Sequence, residues 1–139
     1  MRRKVAVFFW KERVLMQGLS GPGGVLFGAG PVLECKPSAS EVTAALEAAL
    51  RESKIPCPVP SDLHTRKLSD VAEYLGLKRE SDLTRRVRRS SVDERDGKYE
   101  IAAYERRGSG WVSRVSQILP GSTSIEDVAR AVLEELGAE

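Results

Sequence analysis

What most constrains this chain is a helix written twice. Ser38, Glu41, Val42, Ala45, Leu46 and Leu50 recur as Ser124, Asp127, Val128, Ala131, Val132 and Leu136, at a constant offset of 86 residues. In each copy a serine able to cap a helix precedes apolar residues at spacings of three and four, the signature of one buried helical face. Glu41, Glu47 and Arg51 fall on the opposite side of the first copy. Each copy begins a few residues after a proline, Pro37 or Pro120. The repeat predicts helices over 38–53 and 124–137, built to the same plan.

The segments before the two helices echo each other as well. Val5-Ala6-Val7-Phe8-Phe9-Trp10 is rich in β-branched and aromatic residues and reads as a central strand. Lys11-Glu12-Arg13 then forms a tight connection into a strand around Val14-Leu15-Met16. The glycine-rich stretch from Gly18 to Gly24 reads as a turn, followed by two short strands, Val25-Leu26-Phe27 and Val32-Leu33-Glu34-Cys35, separated by Gly28-Ala29-Gly30-Pro31. In the second half, Ser91-Val92-Asp93 leads through the hairpin signal Asp96-Gly97 into a strand from Tyr99 to Tyr104. Arg107-Gly108-Ser109-Gly110 turns the chain again, into Trp111-Val112-Ser113-Arg114-Val115.

Between the halves lies an interlude from Lys54 to Arg89. Pro56, Pro58 and Pro60 keep its start extended. Ser69 can cap a short helix through Leu75 that Gly76 terminates, and Ser81 or Asp82 begins a second short helix carrying Leu83 and Val87. The expected fold is α+β: two strand-meander-plus-helix units forming an antiparallel or mixed sheet packed by helices, with two short helices between them. Residues 1–139 form one domain on this reading, a length that buries about two thirds of the unfolded chain's surface.

Composition narrows the function classes. A chain with 41% hydrophobic and 30% charged residues, Lys+Arg 22 against Asp+Glu 20, is not intrinsically disordered and carries no whole-protein polyanion footprint. The longest apolar run, Val5 to Trp10, is far short of the roughly 20 residues needed to span a bilayer. Lys11-Glu12-Arg13 follows it with no small-residue cleavage site, so it fails as a signal peptide. Cys35 and Cys57 form no CxxC pair, and a reducing, cytoplasmic setting with no membrane partner is the expectation.

No constellation announces catalysis. Cys35, Cys57 and His64 are the only metal candidates and match no ligand spacing, so neither a metal nor another cofactor is expected. A Cys57/His64 thiol couple lacks an orienting group, and Gly21-Pro22-Gly23-Gly24 precedes neither a Gly-Lys-Ser/Thr sequence nor a helix. The most charged motif is Arg85-Arg86-Val87-Arg88-Arg89. Arg85, Arg86, Arg88 and Arg89 at a helix end could meet phosphate, with Tyr99, Tyr104 and Trp111 as stacking surfaces, or could pair with Asp82, Asp93 or Glu94.

Trp10 with the charged turn after it, Pro37-Ser38-x-Ser40-Glu41-Val42, and the matching helix from Ser124 to Leu136 form a set of landmarks along the chain. Tyr74-Leu75-Gly76-Leu77-Lys78 followed by Ser81-Asp82-Leu83, and the stretch from Val92 through Tyr99 to Gly110-Trp111, belong to the same set. Together they resemble bacterial contact-dependent growth inhibition immunity proteins. The resemblance implies a cytoplasmic, non-enzymatic protein that binds the C-terminal toxin domain of a cognate effector, commonly a nuclease, one to one and blocks its active site. An inhibitor of a nuclease competes with phosphate for a basic groove, which calls for carboxylates and an aromatic anchor. Asp62, Asp70, Glu73, Glu80 and Asp82 in the interlude, Asp93, Glu94 and Asp96 near the hairpin, and Trp111 are the candidates. The alternative is a small single-stranded nucleic-acid-binding module using Arg85, Arg86, Arg88 and Arg89, and a self-interface at Trp111 stays open as a third reading.

Overall fold

A computed structural model describes residues 2–61, 68–108 and 110–138. The chain runs β1 (Arg3–Trp10), β2 (Arg13–Ser20), β3 (Phe27–Cys35), α1 (Ala39–Glu52), α2 (Asp70–Tyr74), α3 (Glu80–Arg86), β4 (Arg88–Arg95), β5 (Lys98–Arg107), β6 (Gly110–Pro120) and α4 (Ile125–Leu136). The fold is α+β, a six-stranded open antiparallel sheet in the order β3-β2-β1-β4-β5-β6 with helices packed on it. That order is a duplication: each half is a three-stranded meander followed by a long helix, and the two first strands join at the centre. Val5 faces Val92 in that join.

Both repeated helices form for the local reason their sequence gives. The Ser38 side chain accepts the Glu41 amide and the Ser124 side chain accepts the Asp127 amide, each satisfying a donor that the first helical turn leaves open. Gly137 in the left-handed region (φ 65°) ends α4, where a side chain would be strained. The stripes Val42, Leu46, Ala49, Leu50 and Val128, Val132, Leu136 are buried on one sheet face against Val5, Val7, Val14, Met16, Val92 and Ile101. Each such side chain removed from water contributes about 1.5–3 kcal/mol.

The opposite face is covered differently. Ala6, Phe8 and Leu15 pack with Val71 and Ala72 of α2 and with Leu83 and Val87 beside them. Period-two alternation along β1 therefore buries both sides of that strand, which is why it reads as a continuous apolar run. Lys11 and Glu12 make a two-residue hairpin with both φ positive (51° and 60°), and Asp96 and Gly97 do the same (52° and 70°) between β4 and β5.

Four boundaries depart from the sequence reading. β2 runs on to Ser20, so the turn expected from Gly18 begins only at Gly21. The segments Val25-Leu26-Phe27 and Val32–Cys35 are not two strands: one strand, β3, runs through Gly28-Ala29-Gly30-Pro31, and Val25 lies outside it, exposed. As an edge strand β3 tolerates Pro31, and Gly30 takes the positive φ of 75° that the kink requires. The third helix starts at Glu80, with Arg79 in the cap position and no side-chain cap bond, rather than at Ser81 or Asp82. β6 reaches Pro120, past Val115, through an irregularity opposite Ile101 and Ala102.

Candidate functional site

Most of the acidic candidates are engaged inside the molecule. Asp93, 6% exposed, accepts from Arg2 Nε at 3.0 Å and Arg2 Nη2 at 2.9 Å. It stands directly opposite Glu100, a like-charge pair that would be unfavourable alone. Arg95 resolves it, with its Nε 2.7 Å from Glu100 and 3.9 Å from Asp93. On the other sheet face Glu94 accepts from Arg3 at 2.7 Å, and that hydrogen bond holds its carboxyl below the usual glutamate range. Asp82, at the start of α3, accepts from Arg85 at 2.5 Å with Arg79 at 3.7 Å, and the Arg85 bond likewise lowers its pKa.

Asp70 and Glu80 come together with neither Asp93 nor Asp96. They border a cavity of about 540 Å³ between the second sheet face and the short helices. Asp70 accepts from the buried Gln17 amide at 2.6 Å, and Glu80 accepts the Ser69 N–H at 2.9 Å, tying α3 to the start of α2. Glu73 and Asp96 are exposed. Asp62 and His64 lie outside the described residues.

The arginine run does not form one helical patch. Arg85 and Arg86 end α3, but Val87 has already turned extended (φ −111°, ψ 154°), so Arg88 and Arg89 belong to β4 and point to opposite sheet faces. Arg88 Nη1 donates to the Leu136 carbonyl at 2.8 Å, at the C-terminal end of α4 where a cation is favoured. Arg85, Arg88 and Arg89 still border one groove of about 340 Å³, with Arg106, Arg114, Tyr104 and Trp111. Arg86 does not line it.

Arg89 is the unusual member. Its guanidinium carbon lies 4.4 Å from the Tyr104 ring centre, 5.2 Å from Phe8 and 5.9 Å from Trp111. Tyr104 and Trp111 meet edge to face at 6.4 Å. The rings thus use their faces on an internal cation, and Trp111 is half-buried among them. Nε of Arg89 is buried with no hydrogen-bond partner. Burial pulls the Arg89 pKa down, against the opposing pull of Tyr104 and Glu80. Position in a basic run drew attention to this arginine in the sequence; its aromatic enclosure comes from three strands and has no local signal.

Two further features lay outside the sequence reading. Glu34 accepts from Arg13 at 2.6 Å and from the Tyr74 hydroxyl at 2.8 Å, linking β2, β3 and α2, and Arg13 holds its pKa low. Val112, Val115 and Ile118 of β6 are 48%, 50% and 58% exposed, so the edge strand at one end of the sheet presents apolar side chains on both its faces. Cys35 is half-buried, its thiol pushed up to about 11 chiefly by burial. Among the described residues no group of histidine, cysteine and acidic side chains could hold a metal, and no helix is long and apolar enough to cross a membrane.

No family model matches the chain, and no curated protein does. Solved structures do. A protein of unknown function from Neisseria meningitidis superposes with a TM-score of 0.75 at 14% identity, over 99% of this chain and 94% of that one. A chain of the CdiA-CT/CdiI toxin and immunity complex from Yersinia pseudotuberculosis superposes with a TM-score of 0.74 at 11% identity, over 99% of this chain and 97% of that one. At such identities the likeness shows the fold alone, shared over nearly the whole length of each chain.

Proposed function

We propose that this protein is a toxin-neutralising immunity protein, one that binds the C-terminal toxin domain of a cognate contact-dependent inhibition effector and blocks its active site. The observation that carries the reading is the end-to-end likeness to a chain from a toxin and immunity complex, together with the landmarks that resemble immunity proteins. It works in the cytoplasm, without catalysis, and its target is a nuclease. Asp82, Asp93 and Glu94 are already paired with arginines of this chain, so they shape the fold before they meet any partner. Among the described residues, Glu73, Asp96 and the side chains of Val112, Val115 and Ile118 on β6 are exposed and offer the contact.

Co-expression with the toxin domain encoded beside it tests the reading. A one-to-one complex on size exclusion, tight binding by calorimetry and rescue of growth are expected; absence of complex and of rescue overturns it. The groove lined by Arg85, Arg88, Arg89, Arg106 and Arg114 favours one second reading, binding of single-stranded nucleic acid. That reading requires affinity that falls steeply with salt and with replacement of those arginines.

A further inference from the structure

The cavity between the sheet and the short helices holds both signs of charge, but only one sign is satisfied. Its carboxylates have donors, Gln17 for Asp70 and the Ser69 N–H for Glu80. Of the cations that line it among the described residues, Lys4 stands opposite Asp93 across the β1–β4 ladder but makes no ion pair with it, Asp93 being held by Arg2 and Arg95, and Arg89 stands opposite Phe8. Among the described residues Arg89 makes no ion pair, and its Nε has no hydrogen-bond partner. Arg89 feels the charge of Glu80 but bonds no carboxylate among the described residues, and a cation held against aromatic faces keeps most of its capacity to bind an anion, in a surrounding less polar than water where that bond is strong. Beside it the wall is apolar, formed by Phe8, Leu26, Phe27 and Leu83. A volume of about 540 Å³ falls within the range of small-molecule sites, which are largely apolar with a few placed polar groups.

We infer that this cavity is a binding site for a small apolar monocarboxylate, its head on Arg89 and its hydrocarbon body against Phe8, Leu26, Phe27 and Leu83. Arg89 calls for one negative charge; a phosphate dianion would be repelled twice as strongly by Asp70 and Glu80, which border the same cavity. The inference does not depend on the toxin-binding reading, and either stands if the other fails.

Calorimetric titration of the full chain with octanoate, with 1-octanol and with acetate tests it. Octanoate binds one site, about tenfold or more tighter than either octanol, which lacks the charge, or acetate, which lacks the body. In Arg89→Met, shown to be folded by circular dichroism, octanoate falls to the affinity of octanol. Equal affinity for octanoate and octanol in the unchanged protein overturns the inference, as does no binding at all or octanoate binding that survives Arg89→Met. Should Arg89→Met not fold, the Arg89 Nε–H resonance of the unchanged protein decides: it shifts with octanoate and not with octanol, and a resonance unmoved by octanoate overturns the assignment.

Discussion

The two halves share a plan but finish it differently. α1 lies over β2 and β3, so the first half is covered to its edge strand; α4 lies over β4 and β5, and β6 extends beyond it. The packing under the two helices differs at one position as well. The residue facing Val5 is Gly18, whereas the one facing Val92 is Ile101. At Gly18 the helix comes so close that a Cβ would stand 2.5 Å from the Ala49 carbonyl oxygen. At Ile101 a full side chain fills the space between sheet and helix. The duplicated plan thus recurs in strand order and helix face, while at Gly18 the missing side chain leaves room for α1 that Ile101 fills in the other half.

Exchanging those sizes should break the comparison most. Gly18→Val drives a branched side chain into the backbone of α1 and is expected to cost about 3 kcal/mol or more, read by urea unfolding. Ile101→Val, in the half already built around a large residue, costs about 1 kcal/mol. A Gly18→Val loss as small as that of Ile101→Val would mean that α1 moves away freely and that the close approach does not distinguish the halves.

Charge sharpens the contrast next. Asp93 is nearly enclosed between Arg2 and Arg95, while Glu34 in the first half is exposed beside Arg13. Asp93→Asn leaves two arginines and Glu100 rearranged and is expected to cost about 2 kcal/mol, against about 0.5 kcal/mol or less for Glu34→Gln. Equal losses in chemical denaturation would show that burial of the pair contributes nothing.

Acidification probes the same asymmetry on the opposite face. Glu94 has its native pKa lowered, foremost by the hydrogen bond from Arg3. A depressed native pKa gives stability that is present above the unfolded value of about 4.3 and lost as the pH falls through the native value. Urea midpoints should therefore drop on the acid side of about pH 4.3, and Glu94→Gln should reduce that drop. An unchanged acid limb in the variant would assign the loss to other carboxylates.

These expectations also mark what the sequence could and could not convey. The two long helices were legible because cap, stripe and repeat agree within fifteen or so residues, and Asp96-Gly97 announced its hairpin through backbone preference alone. β3 was misread as two strands because Gly30 and Pro31 break a central strand but not an edge one, and position within the sheet is a property of the whole fold. Asp93 and Glu94 read as toxin contacts or as partners of the arginine run because Arg2 and Arg3, their actual partners, lie 91 residues away in sequence. The arginine run read as one patch because Val87 carries no mark of the switch from helix to strand that turns Arg88 and Arg89 apart.

The smallest expected effect on stability is the most informative about function. Val115 and Ile118 face solvent on β6, so Val115→Lys and Ile118→Lys should shift unfolding by no more than about 0.5 kcal/mol, since neither opens a cavity nor buries a charge. An apolar surface that contributes so little to folding is available for a partner, and losing it should weaken a toxin complex by about tenfold or more if these side chains lie at the centre of the interface. The matched control is the covered edge: Val32, on β3, packs against the short-helix side of the core, so Val32→Lys should destabilise the fold. A pair of lysines on β6 that leaves both stability and toxin affinity unchanged would move the interface off this edge and toward Glu73 and Asp96. A loss of affinity at constant stability would make the unfinished half of the duplication the half that meets the toxin.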